Sequence, residues 1–175
     1  MNLVTGATGH IGNVLVKELV KRGEAVRVFL LPGEDLEPIK GLDIEIFYGN
    51  VLDVPSLEKA FNGVTNVFHL AGIISIAPGK ENLIHQVNVE GTKNIMNVAL
   101  RCGVKSFVYT SSIHAFKRIP HGLAIDEKTP IDPACNIAAY DRSKAEATLA
   151  VLEMVKSAFP AVIVCPTGVI GPCDY

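Results

Sequence analysis

The sequence predicts an α/β fold: one doubly wound parallel sheet of six strands in the order 3-2-1-4-5-6, with helices on both faces. Two observations carry this prediction. The glycine-rich stretch Thr5-Gly6-Ala7-Thr8-Gly9-His10-Ile11-Gly12 lies between a short apolar run and a segment of helical periodicity. Further short apolar runs then alternate with helical patterns, the arrangement that builds a parallel sheet with right-handed crossovers.

The first strand is centred on Leu3-Val4. Ile11, Val14, Leu15, Leu19 and Val20 recur at helical spacing, and Arg22-Gly23 stops that helix. Residues 25–30 are nearly all apolar, as a strand covered on both faces is, and Pro32-Gly33 ends them. Ile44-Glu45-Ile46-Phe47 alternates as a more exposed third strand. A short helix starts at Pro55, with Leu57, Ala60 and Phe61 inward and Asp53 or a neighbour as its cap. Val67-Phe68-His69-Leu70 is the fourth strand, closed by Ala71-Gly72. Residues 81–102 carry a long helical pattern with Val87, Gly91, Ile95, Val98 and Ala99 on one face, ended by Cys102-Gly103. Residues 106–110 form the fifth strand, 113–135 a Pro-, Gly- and Asp-rich loop of a length that is usually functional, 138–157 another amphipathic helix, and 161–165 the sixth strand.

A chain of 175 residues supports one domain with a sizeable core. Its hydrophobic fraction of 49% excludes a disordered tail, and a net charge of −2 leaves no electrostatic footprint for nucleic acid or an anionic membrane. No apolar run is long enough to span a bilayer. A strand beginning at residue 2 leaves no room for a signal peptide, so a cytoplasmic protein is expected. Cys102, Cys135, Cys165 and Cys173 lack metal-site spacing and read as free thiols. No metal is expected.

A strand, a glycine turn and a helix together make a phosphate cradle, because turn amides and the positive end of the helix dipole favour an anion. In such a sheet the ligand lies across the carboxyl ends of the strands. The segments to examine are therefore the glycine turn, Leu30-Leu31, Asn50-Val51, Ala71-Gly72, Thr110-Ser111-Ser112 and residues 166–169. Tyr140 and Lys144, at i and i+4, share a helix face. A lysine ammonium favours the tyrosinate, so Lys144 is expected to lower the Tyr140 pKa from about 10 toward the working pH. A tyrosine tuned in this way can exchange a proton with a carbonyl/alcohol pair.

These residues resemble a family, the extended short-chain dehydrogenases/reductases of the NAD(P)-dependent epimerase/dehydratase group. The matching pieces are residues 5–12, Phe68-His69-Leu70-Ala71-Gly72, Asn88-Val89-Glu90-Gly91-Thr92, Val108-Tyr109-Thr110-Ser111-Ser112, Asp126-Glu127-Lys128-Thr129-Pro130, Ala139-Tyr140-Asp141-Arg142-Ser143-Lys144 and residues 166–172. They occur in the family's order and cover the chain. The resemblance implies Tyr140 as catalytic acid/base, Lys144 holding the nicotinamide ribose, and Ser112 bonding the substrate oxygen, with Ser111 as the fallback. It implies NAD or NADP on Gly6, Thr8, Gly9, His10, Ile11 and Gly12. Asn50 and Val51 would flank the adenine, Leu70, Ala71, Gly72 and Thr110 would line the trough, and Pro166 and Val169 would approach the nicotinamide. Asn88 reads as structural.

Two departures stand out. Leu30-Leu31-Pro32 holds neither the acid that bonds the ribose in NAD enzymes nor the arginine of NADP enzymes, which leaves cofactor choice open. Asn50 replaces the usual Asp beside the adenine. The side chain of His10 reads as packing or solvent-facing, and His114 and His121, in the loop before Tyr140, as mostly solvated. Asp126 and Glu127 read as fixing that loop.

The resemblance also implies a further C-terminal substrate lobe, which this chain lacks, so a truncated form is expected. The implied activity is hydride transfer between nicotinamide and a carbonyl/alcohol substrate, like that of dihydroflavonol reductases or 3β-hydroxysteroid dehydrogenases. Two alternatives are an NDP-sugar epimerase or dehydratase with tightly held NAD and a non-catalytic dinucleotide sensor; the Tyr140/Lys144 pair argues against the sensor. The expected partner is a small-molecule substrate, and the family's habit of pairing through two long helices leaves a homodimer open.

Overall fold

The structure, a computed structural model, describes residues 1–75 and 79–174. Six strands, β1 (Asn2–Thr5), β2 (Val26–Leu30), β3 (Glu45–Tyr48), β4 (Asn66–His69), β5 (Ser106–Thr110) and β6 (Ala161–Val164), form one sheet in the expected order, β3-β2-β1-β4-β5-β6. Each pairing is parallel. Burial follows position in the sheet. All four residues of the central β1 are buried, whereas β3, at one edge, is largely exposed.

Alternate residues of the strands feed two cores, one on each face. On one face Val4, Val28 and Leu30 pack with Val16 of α1 (His10–Lys21) and with Ile39 of a short 3₁₀ turn, Glu37–Ile39. On the other, Leu3, Phe29, Val67 and Phe107 pack with Leu57 of α2 (Val54–Ala60), Ile95 and Val98 of α4 (Thr92–Arg101) and Val151 of α5 (Ala139–Lys156). Fully burying one such side chain contributes about 1.5–3 kcal/mol, so each helix is held mainly by its apolar stripe.

Three local expectations are corrected. Ile11 and Val14 are exposed, while Asn13 is buried. The reason is position: Ile11 borders a cavity, and the Asn13 amide donates to the carbonyls of Gly9, His10 and Cys173. The long helix is not uniform either. It runs as α3 (Glu81–His85), a π-helical turn (Gln86–Gly91) and α4. The wider turn brings Asn88, Val89, Gly91 and Thr92 inward together and leaves Val87 at the cavity. Gly91 suits this turn, because a Cβ there would stand 2.6 Å from Val51 Cγ2. Finally, Asp53 occupies the N-cap of α2, but its carboxylate makes no capping bond; the Ser56 hydroxyl instead donates to the Asp53 carbonyl at 2.8 Å.

The segment 113–135 is loop apart from a 3₁₀ turn, Ile113–Ala115, and a bridge between Phe116 and Ile131. Asp126 fixes it as expected, accepting from the amides of Lys128 and Thr129. Among the described residues, no helix is long and apolar enough to cross a membrane, and no group of three His, Cys, Asp or Glu side chains could hold a metal ion.

Candidate active site

The carboxyl ends of the strands open onto one cavity of about 760 Å³. The residues expected to hold a cofactor or do chemistry all border it: Gly6, Thr8, Gly9, His10, Ile11 and Gly12 of the glycine turn; Asn50 and Val51 after β3; Leu70, Ala71 and Gly72 after β4; Thr110 and Ser112 at the end of β5; Tyr140 and Lys144 on α5; and Pro166 and Val169 after β6. The parallel sheet brings them together, since every strand delivers its carboxyl end to the same side.

The three glycines of the turn differ in what they do. Gly6 adopts φ +68°, and a Cβ there would lie 2.7 Å from the Ala71 amide nitrogen. A Cβ on Gly12 would collide with the Gly6 carbonyl oxygen. Both positions are glycine for the protein's own packing. Gly9 is not: the nearest atom to its Cβ would be 3.5 Å away, ordinary contact. Its bare backbone leaves space on the cavity side. Asn13 opens the helical bonding of α1 by donating to the Gly9 carbonyl at 2.9 Å, so the first-turn amides have no intrahelical acceptor. Unpaired amides, a helix N-terminus and an absent side chain are the donor set that suits a pyrophosphate.

Behind the turn runs a buried hydrogen-bonded chain. The Ala71 amide donates to Thr5 Oγ1 at 3.1 Å, and Thr5 Oγ1 lies 2.8 Å from His69 Nδ1. His69 Nε2 lies 2.9 Å from Thr92 Oγ1, whose hydroxyl donates to the Asn88 carbonyl at 2.6 Å. Because Thr92 donates onward, it accepts from His69 Nε2–H, and Nδ1 accepts from Thr5. Burial, followed by the charge of Lys144, lowers the His69 pKa to about 3, so the ring stays neutral. Asn88 is structural, as expected. It pairs with the backbone of Ile73 in both directions, at 2.7 and 3.0 Å, and donates to Ser143 Oγ at 2.9 Å. The Ser143 hydroxyl then donates to the Tyr140 carbonyl.

The two serines differ in their partners. Both border the cavity, but Ser111 Oγ lies 2.5 Å from Thr148 Oγ1, whereas Ser112 Oγ accepts from the His114 amide at 3.2 Å and acts to lower the Tyr140 pKa. Lys144 does not act on Tyr140 as the sequence suggested. Its Nζ donates to the Thr110 carbonyl at 2.9 Å, and burial lowers its pKa to about 8. The Tyr140 pKa is raised, not lowered: burial is the main cause, the Asp141 carboxylate adds to it, and Ser112 opposes it. Sharing a helix face put both residues on the cavity, but the Thr110 carbonyl holds the amine.

Two residues outside the predicted set lie close by. The His114 ring stands edge-on to Tyr140, centroids 5.9 Å apart, with Nδ1 3.3 Å from the buried Asp141 carboxylate. It does not border the cavity, and neither does His121. Glu34 does, and the sequence pattern did not single it out. The signal was present in Leu31-Pro32-Gly33-Glu34. Proline followed by glycine at φ +87° makes a turn, closed by the Glu34 amide on the Leu31 carbonyl at 3.2 Å. That turn carries the fourth residue back beside the first. The Glu34 carboxylate accepts from the Leu31 amide and from the Thr8 hydroxyl, each at 2.8 Å. The end of β2 therefore has an acid after all.

Comparison with known proteins agrees with this architecture. Residues 3–174 match the 3-beta hydroxysteroid dehydrogenase/isomerase family. Sterol demethylase protein B of Methylococcus capsulatus is 37% identical over 175 residues, 99% of this chain and 52% of that protein. Cinnamoyl-CoA reductase 1 of Oryza sativa subsp. japonica is 34% identical over 184 residues, 97% of this chain and 53% of that protein. A crystal structure of a short-chain dehydrogenase/reductase superfamily protein from Agrobacterium tumefaciens with bound NAD superposes with a TM-score of 0.81 at 33% identity, covering 94% of this chain and 48% of that one. The chain thus spans about half the length of the relatives it matches. On fold, motif order and match alike, it belongs to the 3-beta hydroxysteroid dehydrogenase/isomerase family.

Proposed function

We propose that the chain forms the nicotinamide-dinucleotide site of an NAD(P)-dependent oxidoreductase that reduces a carbonyl substrate to an alcohol. One observation carries this reading: the bare glycine turn and the Ser112, Tyr140 and Lys144 side chains border a single cavity. In this proposal Gly6, Gly9, Gly12 and Thr8 hold the pyrophosphate with the first-turn amides of α1. Asn50 and Val51 flank the adenine, Leu70 to Gly72 and Thr110 line the trough, and Pro166 and Val169 border the nicotinamide. The bound nicotinamide supplies the hydride. Lys144 carries its proton up to about pH 8, which leaves it a donor for ribose hydroxyls as well as for Thr110.

The protonation state of Tyr140 supports a role as the acid in carbonyl reduction. A pKa raised above its ordinary value keeps Tyr140 a protonated phenol at neutral pH. That is the state that donates a proton to a carbonyl oxygen as negative charge builds there. Ser112, on the same cavity wall, offers a second donor to the same oxygen. The names cinnamoyl-CoA reductase and 3-beta hydroxysteroid dehydrogenase, borne by the relative and by the family, support a carbonyl/alcohol pair as the substrate class. A cytoplasmic location and a homodimer complete the proposal; exposed Leu100 on α4 and Leu149 and Leu152 on α5 support the latter.

Titration with NADH and NADPH, followed by nicotinamide fluorescence, tests the binding half. Tyr140→Phe tests the chemistry. It keeps cofactor affinity and lowers turnover of a carbonyl substrate by about 100-fold or more. Unchanged turnover sinks the assignment.

A further inference from the structure

We infer that Glu34 makes this site selective for NAD over NADP, an inference that rests on the dinucleotide reading above. The residues that read as open at the end of β2, Leu30 and Leu31, are not where the choice is made. The Pro32-Gly33 turn returns Glu34 to the cavity wall. There it is held by two bonds: Oε1 accepts from the Leu31 amide and Oε2 from the Thr8 hydroxyl, each at 2.8 Å. Thr8 belongs to the glycine turn itself, so the carboxylate is tied to the pyrophosphate cradle rather than free in solvent.

The charges around it reinforce the choice. Among the described residues that border the cavity there is no arginine, and the one lysine, Lys144, is bonded at the end of β5. The ring of His10 lies 3.1 Å from the Pro172 carbonyl oxygen and 3.8 Å from the Asp174 carboxylate. A fixed carboxylate with no cation beside it accepts hydrogen bonds from a ribose diol and repels a 2′-phosphate. Like charges brought together in this way cost enough to separate the two cofactors by about 100-fold. Each carboxylate oxygen keeps a free lone pair for a ribose hydroxyl after its bond to the protein is made.

The test is calorimetric titration of the whole chain with NADH, NADPH, ADP-ribose and 2′-phospho-ADP-ribose. The last two probe the adenosine end without the nicotinamide. The expected result is tighter binding of NADH and ADP-ribose by about 100-fold. Glu34→Gln keeps an acceptor for the Leu31 amide and reduces that ratio about tenfold or more, chiefly by improving the phosphorylated ligands. Glu34→Ser does the same, and thermal melts confirm that both variants are folded. Equal affinities in the unaltered chain, or a ratio unmoved in both variants, overturns the role of Glu34 and leaves the dinucleotide site standing. Failure of all four ligands to bind overturns the dinucleotide reading, and this inference with it.

Discussion

At the scale of single residues, the glycine turn separates two requirements that the sequence pattern merges. Gly12 is needed by the fold, because any Cβ meets the Gly6 carbonyl, a backbone atom that cannot swing aside. Gly9 is needed only by what enters the cavity; its backbone, φ −71° and ψ 168°, is open to any residue. Gly12→Ala therefore costs about 2 kcal/mol or more in urea unfolding, through overpacking. Gly9→Val stays within about 1 kcal/mol of the parent chain, the difference between caps of ordinary quality, yet loses NADH binding. A Gly9→Val variant that binds NADH normally would show that the turn is not the cradle. The same scale explains Lys144. The i, i+4 spacing reports which side chains share a face, not which acceptor lies within reach, and the Thr110 carbonyl comes from a strand 34 residues away in sequence.

At the scale of elements, the π-helical turn Gln86–Gly91 is the joint between the β4 loop and α5. The wider turn aims Asn88 at Ile73 and Ser143 at once. Ser143 in turn holds the carbonyl of Tyr140, so this joint sets where α5 begins relative to the sheet. Asn88→Ala strips both backbone groups of Ile73 of their partner. Leaving buried polar groups unpaired costs about 1–3 kcal/mol, so the denaturant midpoint falls accordingly. Asn88→Asp keeps the bond from the Ile73 amide but sets a buried carboxylate oxygen against the Ile73 carbonyl, so it destabilises as well. Equal stability of Asn88→Ala and the parent chain would show that the joint contributes nothing. Helical periodicity marked this stretch as helix but could not mark the extra residue in the turn, because one inserted residue hardly disturbs a pattern read over five turns.

At the scale of the whole molecule, two buried bases give the fold its pH dependence. His69 moves from an ordinary 6.5 to about 3. Between those values the unfolded chain takes a proton that the folded chain refuses, so stability falls as pH drops below 6.5. Lys144 moves from 10.5 to about 8. Between about 8 and 10.5 the folded chain has shed a proton that the unfolded chain still holds, so this residue's contribution rises with pH across that window. Each group bends the profile by at most about 1.4 kcal/mol per pH unit. Urea midpoints measured from pH 4 to 10 check this. His69→Gln flattens the acid limb, and Lys144→Met removes the alkaline rise. Slopes indistinguishable from the parent chain in both variants would refute the assignment.

Much of this molecule is legible in its amino-acid sequence. Strand positions follow from period-2 and period-3.6 apolar patterns punctuated by glycine and proline, the strand order from the doubly wound topology, and most of the cavity residues, Glu34 apart, from the strand ends. Those signals are local, and the carboxyl-end rule for parallel sheets turns local positions into one site. What the sequence alone determined is therefore which residues stand at strand ends and, Ile11 and Val14 of α1 apart, which helix faces turn inward. What only the tertiary structure decided is which partner each polar group takes. Lys144 turned to Thr110, Ser111 met Thr148 while Ser112 took the His114 amide, His69 bridged Thr5 and Thr92, and Glu34 folded back onto Thr8. The physical reason is the range of the forces. Apolar periodicity is set by neighbours a few residues apart, whereas a hydrogen bond is made with whatever lies within about 3 Å in space, however distant in the chain.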